Sequence, residues 1–484
     1  MTYTGFNIGP IMATLDMARR PRELWSASYI FSFLMECILD SIPENCRIIS
    51  PTHNILNTKE SVGLYPDRAF IEGRMDVSAV EKSAIEKFLS GTGLDSFNYF
   101  NLMSTCCEAD SCSSAIADLN AAMDMMELCN TSKCESDRNS VLELIQKKYN
   151  SPLFIRALGD RRFPVESLGE IAASVHKANK ERWPKFQSTL NEESTDEDPY
   201  NKVFGRNGYK SFEKYICAVR ADGDNMGRLF SSPELNDDQI NKLSEKLIEF
   251  GINASKEIRE FGGMPVYAGG DDLLFIAPVV GRDKDGQNMT VFDLIERIDG
   301  KCFKSVIEST ESLNLRNPVA KPSMSYGIAV TYYKFPLYEA LEMAGNLLFG
   351  RAKKLEGKNA IAWRILKHSG SDFEAAFSRN VPDFNAGFSN LVASTKDGST
   401  VSAVAHKIRE FHQIVEIVLE SKDSSRLDSL FKNVFECNDS DYYKAVKNIM
   451  PAIYEHGETD KFGETIYDLL RTAKFIKGED PNDD

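Results

Sequence analysis

Apolar positions follow two different periods along this chain, and the alternation of those periods predicts where strands and helices lie. In residues 1–110 the predicted order is strand, helix, strand and helix, followed by an apolar run. The corresponding stretches are Tyr3 to Pro10, Ile11 to Leu39, Cys46 to Ile49, Val80 to Leu89 and Phe97 to Met103. The first strand ends at Gly9-Pro10, which is a turn signal. We therefore expect a small α+β domain over residues 1–110.

Residues 206–370 have the most regular pattern, with the order β-α-β-β-α-β-α-β. Its strands are predicted at Tyr215 to Val219, Met264 to Ala268, Leu273 to Val279, Ser323 to Thr331 and Ala360 to Leu366. Its helices are predicted at Asp238 to Phe261, Val291 to Leu313 and Leu337 to Leu355. This order contains the split βαβ arrangement of a ferredoxin-like palm. The first 110 residues are predicted to be a weaker copy of that palm.

The other two regions are predicted to be mainly helical. Residues 111–205 form a helical and mixed insert, with helical spacing from Ser113 to Lys148 and an acidic linker at its end. That linker, Asn191 to Tyr200, has five acidic and no aliphatic residues, which is typical of a solvated segment. Strand patterns stop near residue 371, so residues 371–484 are expected to be a C-terminal helical bundle. Its helices are predicted at Val401 to Leu419, Leu427 to Phe435 and Tyr442 to Tyr454.

The predicted fold class is therefore α+β, with two ferredoxin-like palm domains plus helical domains. Charge narrows the function: 57 Lys and Arg stand against 72 Asp and Glu, a net charge of −15. This charge argues against a protein that binds nucleic acid alone through a broad basic surface, whereas a basic partner subunit is compatible with it.

The apolar stretch Leu24 to Leu39 is interrupted by three serines and Glu36, so it predicts a buried helix and no membrane span. Ten sparse cysteines favour reduced thiols and a cytoplasmic location.

Three aspartates are the strongest chemical signal. Asp222 follows the first strand of the second palm, and Asp271 and Asp272 lie in the GGDD turn of its central hairpin. Because these strands are neighbours in a palm, we expect the three carboxylates to converge on a shared cation. Oxygen ligands without nearby Cys or His select Mg²⁺ or Mn²⁺, and two such ions can activate a hydroxyl and hold a triphosphate. The alternative, that GGDD is only a hairpin turn, is weakened by the ADGDNMG motif upstream.

Glycines and one lysine add a predicted ATP-binding set. Gly269 and Gly270 allow a tight turn and a close approach of phosphate, and free amides between Gly223 and Gly227 could meet phosphate oxygens where a helix begins. The loop residues assigned to ATP binding are Gly223, Asp224, Asn225, Met226 and Gly227. The basic residues near the last palm strand are Arg351, Lys353, Lys354 and Lys358. Lys353 is predicted to reach the triphosphate, although lysines at a helix end are often merely solvated.

Cysteine spacing gives a weaker signal for zinc. The pairs Cys107-x4-Cys112 and Cys129-x4-Cys134 could supply four ligands. Against this, the CxxC spacing of a zinc ribbon is absent and the residues between the pairs have helical spacing. The six histidines are scattered without ligand spacing, so surface or packing roles are expected for them.

Several motifs together resemble one family. AVRADGDNMGRLF and YAGGDDLLFIAPV resemble the cyclase-type palm in the large subunit of type III CRISPR effector complexes, a palm related to GGDEF-type nucleotide cyclases. The opening IGPIMATLDMARRPRELWSASYIFSFL resembles the amino-terminal palm of the type III-B (Cmr) version, and ALGDRRFPVESLGEIA its intervening region. AGNLLFGRAKKLEGKNAIA is similar to the basic segment that follows in both groups.

The resemblance implies an activity and its partners. Asp222, Asp271 and Asp272 correspond to metal-holding carboxylates and Lys353 to a phosphate-contacting lysine. The family uses ATP and releases pyrophosphate, making cyclic oligoadenylate in antiviral defence when target RNA pairs with the guide CRISPR RNA. Some members instead join AMP to S-adenosylmethionine. The implied partners are the other subunits of the effector complex, which the helical C-terminal part would contact.

Two alternatives and one absence accompany that expectation. The chain could be a non-catalytic scaffold of the complex, although a scaffold has no reason to cluster three acidic groups. It could also be a free-standing cyclase that needs no RNA. Many family members carry an HD nuclease domain, but here no His is followed by Asp, so we expect no cleavage of single-stranded DNA by this chain.

Overall fold

The computed structural model describes most of the chain. The described residues are 1–53, 62–129, 153, 167–190, 198–313, 315, 321–380, 384–395, 398–434, 441–456 and 462–478. Most of the predicted acidic linker, the end of the predicted helix Ser113 to Lys148, and Cys134 lie outside these ranges.

The N-terminal domain is a ferredoxin-like palm. Its strands are β1 (Thr2–Gly9), β2 (Arg47–Ser50), β3 (Arg68–Glu72) and β4 (Asn101–Glu108). They pair antiparallel in the order β2-β3-β1-β4, which is the order of a split βαβ fold. Its helices are Ile11–Leu15, Pro21–Leu39 and Val77–Thr92. Strand β3 was not predicted, because only five residues alternate between buried and half-buried positions.

The predicted continuous helix from Ile11 to Leu39 is wrong. It is two helices, because the ring of Pro21 cannot be accommodated inside a helix but fits the first helical position. The second helix, Pro21–Leu39, is buried along almost its whole length, as its serine-interrupted apolar sequence predicts. Among the described helices, none combines the length and the hydropathy that crossing a bilayer requires. The cytoplasmic location stays a prediction.

The second domain repeats the palm order and extends it. Its main strands are β5 (Tyr215–Asp224), β6 (Met264–Tyr267) and β7 (Asp272–Pro278), followed, after a small hairpin of β8 (Val280–Arg282) and β9 (Asn288–Thr290), by β10 (Ser323–Tyr332), β11 (Ala360–Leu366) and β12 (Asp372–Ser378). The six-stranded sheet has the order β12-β11-β10-β5-β7-β6. β11 runs parallel to β10, and the other pairs are antiparallel. Four of these strands, β10-β5-β7-β6, have the predicted ferredoxin-like order.

The sheet continues beyond the predicted end of the palm. β12 pairs with β11 along its length, so strands do not stop at residue 371 and the helical region begins after Ser378. The helices on the second palm are Met226–Phe230, Asp237–Phe261, Val291–Arg297, Lys304–Glu311 and Leu337–Gly350. A π-helical segment, Ile298–Phe303, joins two of them.

The remaining described helices lie in the insert and in the C-terminal bundle. Those of the insert are Cys112–Cys129, Leu168–Ala172, Arg182–Leu190 and Pro199–Phe204. Those of the bundle are Phe384–Ser394, Gly398–Glu410, His412–Glu420, Ser424–Val434, Asp441–His456 and Phe462–Lys477. The predicted helix Val401 to Leu419 is thus two helices that meet at Phe411.

The two palms are joined by direct hydrogen bonds. The amide N–H of Thr52 donates to the hydroxyl of Ser244 (3.1 Å), which lies on helix Asp237–Phe261 of the second palm. Near the GGDD turn, the N–H of Ala268 donates to the carbonyl of Gly63 (2.8 Å) from the first palm. The first palm therefore supports both the long helix and the edge strand that leads into the turn.

Candidate active site

The three aspartates lie at one end of two neighbouring strands. β5 and β7 pair so that Asp222 lies directly opposite Asp272. The backbone N–H of Gly223 donates to the carbonyl of Asp271 (3.1 Å). Adjacency of these residues is what the palm order predicts, and the backbone shows it.

The GGDD turn depends on glycine at both of its first positions. Gly270 has a φ of +65°, in the left-handed region where residues with a Cβ are strained. At Gly269 an added Cβ would lie 2.4 Å from the Tyr267 hydroxyl, so the tyrosine ring packs against this glycine. The N–H of Asp272 donates to the carbonyl of Gly269 (3.2 Å) and closes the turn.

Gly223 brings Asp271 close to β5. An added Cβ at Gly223 would lie 2.7 Å from both the Cβ and Oδ2 of Asp271, so any other residue would push the carboxylate away. Because the Gly223 N–H is used in the bond to Asp271, the prediction that this amide is free for phosphate is wrong. Asn225, with a φ of 65°, turns the chain into the short helix Met226–Phe230, and Gly227 lies exposed in that helix.

Lys353 brings a cation into this cluster. It lies on a 3-10 turn after helix Leu337–Gly350, and its side chain is 16% exposed. Its Nζ contacts the carboxylate of Asp222, donates to the carbonyl of Gly223 at 2.9 Å and lies 3.6 Å from Asp224 Oδ1. Of the other predicted basic residues, Arg351 pairs with Glu374, Lys354 is exposed and Lys358 is half-buried.

Asp224 has a structural position. It is fully buried, and its Oδ2 accepts hydrogen bonds from the hydroxyls of Ser323 and Ser325 (both 2.8 Å) and from the N–H of Asn359 (2.9 Å). These bonds tie β5 to β10 and to the segment before β11. Its other oxygen, Oδ1, has no hydrogen-bond partner and lies near Lys353. With no exposed surface, Asp224 is not placed to touch ATP directly, unlike the prediction.

The carboxylates carry more negative charge than one lysine neutralises. Desolvation and then the charge of Asp222 raise the pKa of Asp271 to about 7. Desolvation, followed by the charges of Asp271 and Asp222, also raises the pKa of Asp272, and since that residue is exposed we regard the neighbouring charges as the firmer cause. Desolvation raises the pKa of Asp222 too, against the opposing effect of Lys353. Such shifts are what clustered carboxylates show without a divalent cation.

The donor set fits a hard divalent cation, but its side chains do not yet surround one. Carboxylate oxygens are the ligands that Mg²⁺ and Mn²⁺ prefer. The ammonium of Lys353 lies beside the carboxylate of Asp222 and balances part of the negative charge. Within the ranges that the structure describes, no three His, Cys, Asp or Glu side chains are placed to hold one metal ion. The expected convergence on a shared cation is therefore not seen, because Asp222 turns towards Lys353.

Two charged residues near the cluster were not predicted. The charge of Asp67, from the first palm, contributes to the raised pKa of Asp271 and Asp272. Strand β3, which begins directly after Asp67, was not predicted, so Asp67 could not be placed near the cluster. Arg220 lies on β5 two residues before Asp222, so both side chains project from the same face of the sheet. That spacing was readable from the sequence.

A cavity lies at the end of β5, and none of Asp222, Asp271, Asp272 or Lys353 lines it. Its volume is about 540 Å³, within the range of small-molecule sites. Residues that line it include Asn225, Phe303, Met324, Asn359 and Arg379. Its lining also includes charged side chains, among them Glu296, Asp299 and Lys304, so the cavity is a mixed polar and apolar site next to the ADGDNMG loop.

The cysteines predicted to bind zinc are not brought together. Cys112 and Cys129 are the first and last residues of one helix. A helix of that length separates its ends by about 25 Å, so these two cannot share an ion. Cys107 lies on β4, and Cys134 is outside the described residues.

Fold and site together define a double-palm protein with an acidic cluster at the tip of its second palm. Residues 215–362 match the family model for the second palm domain of Cas10/Cmr2, and residues 3–67 match that for the N-terminal part of the CRISPR-associated protein Cmr2. The CRISPR system Cmr subunit Cmr2 of Pyrococcus furiosus is 31% identical over 212 residues, which cover 37% of this chain and 22% of that relative. Two segments of the chain therefore match Cas10/Cmr2 domain models, as the motifs indicated.

Solved structures share the fold. A type III-B Cmr-beta complex in its apo state matches with a TM-score of 0.54 and 11% identity, over 86% of this chain and 75% of that one. The Cmr-beta structure bound to cognate target RNA matches with 0.55 and 11%, over 89% and 78%. A Csm1-Csm4 cassette in complex with cA3 matches with 0.51 and 12%, over 99% and 70%. The predicted α+β fold of a type III large subunit is confirmed.

Proposed function

We propose that this chain is the large subunit of a type III-B effector complex and a nucleotidyltransferase that uses ATP when target RNA is bound. Its product would be a second messenger, either cyclic oligoadenylate or AMP joined to S-adenosylmethionine. The observation that supports this is the cluster of Asp222, Asp271, Asp272 and Lys353 at the tip of the second palm. Catalysis of this class depends on positioning and charge stabilisation around phosphate, which such a cluster can provide.

Two of the matched structures support the binding partners that we propose for this chain. One Cmr-beta structure is bound to cognate target RNA, and one Csm1-Csm4 cassette is in complex with cA3. Because this chain covers only 22% of its curated relative, its own partners remain part of the proposal. They are the other subunits of the complex, guide CRISPR RNA and target RNA.

Asp222, Asp271 and Asp272 would hold Mg²⁺ or Mn²⁺. When bound, such an ion would activate the attacking 3′-hydroxyl and offset the charge that develops at the α-phosphate. The ammonium of Lys353 would leave Asp222 and bind the triphosphate, since its long side chain can turn between two anions. The unpaired Oδ1 of Asp224, 3.6 Å from that ammonium, would keep Lys353 near the site.

The reaction joins the 3′-oxygen of an acceptor to the α-phosphorus of ATP and breaks the bond to pyrophosphate. The cavity beside Asn225 has room for the adenosine part of a nucleotide. Gly223 keeps Asp271 against β5, so the three carboxylates lie at adjacent strand ends. Binding, orientation and charge are thus supplied by the ends of β5 and β7.

The proposal is tested with the assembled complex. Products made from ATP, with and without cognate target RNA and S-adenosylmethionine, would be identified by mass spectrometry for wild type and for Asp271→Ala/Asp272→Ala. We expect RNA-dependent product from wild type and none from the variant, with unchanged assembly. Full synthesis by the variant rejects the site assignment, and full synthesis without RNA favours a free-standing cyclase.

A further inference from the structure

Arg220 lies where the two palms meet, on the face of β5 that carries Asp222. Residues two apart in a strand are about 6.7 Å from each other. Its side chain is 13% exposed. On one side it approaches Gly345 of helix Leu337–Gly350, where an added Cβ would lie 3.1 Å from Nη1. On the other side lies Asp16, which caps the helix Ile11–Leu15 of the first palm.

The charges of Asp16 and Asp272 act on this buried cation, but neither carboxylate accepts a hydrogen bond from it among the described residues. Its Nη2 is 4.0 Å from Asp16 Oδ1, beyond hydrogen-bond distance, and the Asp16 side chain is 57% exposed. Its Nε is buried and has no hydrogen-bond partner. A guanidinium has five N–H donors, and buried charges are normally paired. Arg220 therefore has unused capacity for an oxyanion.

We infer that Arg220 binds the oxyanion end of the acceptor where the two palms meet. This rests on the proposed function, which requires two ligands, a donor triphosphate and an acceptor. Lys353 contacts Asp222 and the carbonyl of Gly223 at the end of β5. We therefore assign Lys353 to the triphosphate of the donor. Arg220 lies on the other side of Asp222 along the strand, which leaves it for the acceptor.

A forked guanidinium suits two acceptor chemistries. The phosphates of an adenine nucleotide and the carboxylate of S-adenosylmethionine both accept two parallel N–H bonds from arginine. A lysine at this position would offer a point charge without the fork, so Arg220→Lys should not restore full binding. The two chemistries share the oxyanion and are separated by the ligand used in the test.

A purely structural alternative makes Arg220 a clamp that holds Asp16 of the first palm. The two roles predict different behaviour of Asp16→Asn. If Arg220 binds the acceptor, removal of the Asp16 charge leaves ligand affinity unchanged or increases it, because a competing anion is lost. If Arg220 is a clamp, Asp16→Asn and Arg220→Met lower the unfolding temperature and ligand affinity alike.

The experiment measures binding without turnover, in the assembled complex with target RNA. Titrations use a non-hydrolysable ATP analogue in one arm and S-adenosylmethionine in the other, with wild type, Arg220→Met, Arg220→Lys and Asp16→Asn. We expect Arg220→Met to weaken binding of one of these ligands roughly ten- to a hundredfold, with unchanged assembly and unfolding temperature. In steady state we expect the KM of that acceptor to rise more than kcat falls.

Wild-type affinity of Arg220→Met for both ligands, or equal losses in Arg220→Met and Asp16→Asn, would overturn the inference. Failure of the proposed function looks different. In that case the wild-type complex itself neither binds the ATP analogue nor makes product.

Discussion

The ammonium of Lys353 lies against the carboxylate of Asp222, and it also donates to the carbonyl of Gly223 at 2.9 Å. The lysine therefore occupies the side of Asp222 that a divalent cation needs. Metal binding and the release of this lysine are coupled in our proposal, since one carboxylate oxygen cannot serve both at full strength. This coupling can be measured.

Replacement of Lys353 by Met should tighten Mn²⁺ binding while product synthesis is lost. The competing ion pair is mostly buried, so the gain should be about three- to tenfold, or about 0.7–1.4 kcal/mol. Electron paramagnetic resonance of free Mn²⁺ during titration measures it. Lys354→Met, at the exposed neighbouring position, is the matched control. Weaker Mn²⁺ binding in Lys353→Met than in that control would show that the lysine does not compete.

Gly223→Ala should disturb the site and the fold together. The new methyl group would meet Asp271 at 2.7 Å, an overpacking that costs about 1–3 kcal/mol. Denaturant unfolding measures the stability, and ATP turnover measures the displacement of the carboxylate. Gly227→Ala is the control for stability, because an added Cβ there meets nothing within 4 Å. A Gly223→Ala protein as stable and active as wild type would contradict the close approach.

The contact between the palms should depend on the hydroxyl of Ser244. Ser244→Ala leaves the buried N–H of Thr52 without its partner, which costs about 1–3 kcal/mol. Ser255, fully buried on the same helix, has a hydroxyl with no hydrogen-bond partner. Ser255→Ala should therefore be neutral or slightly stabilising. Equal unfolding free energies for the two variants would remove the proposed role of the Ser244 bond.

Asp468, on helix Phe462–Lys477, should make stability depend on pH. Desolvation raises its pKa from 3.8 to about 6, although it accepts the N–H of Glu374 at 3.0 Å. The folded state thus binds a proton more tightly than the unfolded state. The protonated Asp468 therefore contributes to the free energy of unfolding. This contribution is complete below pH 4 and is lost as pH rises through 6.

Asp468→Asn should therefore be more stable than wild type at pH 7.5, by about 1 kcal/mol after solvent screening, with a smaller difference at pH 5. Thermal unfolding at both pH values measures this. Glu410→Gln, exposed in the same helical bundle, is the control. A difference that is the same at both pH values would mean that Asp468 does not titrate as its burial predicts.

The strands and helices with a regular apolar period could be predicted from the sequence. The apolar run of β5 and the amphipathic helix Asp237–Phe261 have clear periods, so the second palm and its strand order could be predicted. Strands β3 and β12 were missed because they are short, with five and seven residues, and so lack a long period. Missing β3 left Asp67 out of the predicted site, but neither strand carries the three aspartates of the cluster.

The chemistry of the site was predicted less completely. Asp222, Asp271 and Asp272 were assigned from local motifs, and the structure brings them to adjacent strand ends. The burial of Asp224 depends on β10 and on Asn359, far away in sequence, so no local pattern could indicate it.

A structure of the assembled complex with target RNA, Mn²⁺ and a non-hydrolysable ATP analogue gives the sharpest test, through the anomalous signal of the metal. We expect a manganese peak bounded by the oxygens of Asp222, Asp271 and Asp272, with the Lys353 ammonium moved to the phosphates. A nucleotide bound without manganese between these residues, with Lys353 still on Asp222, would contradict it.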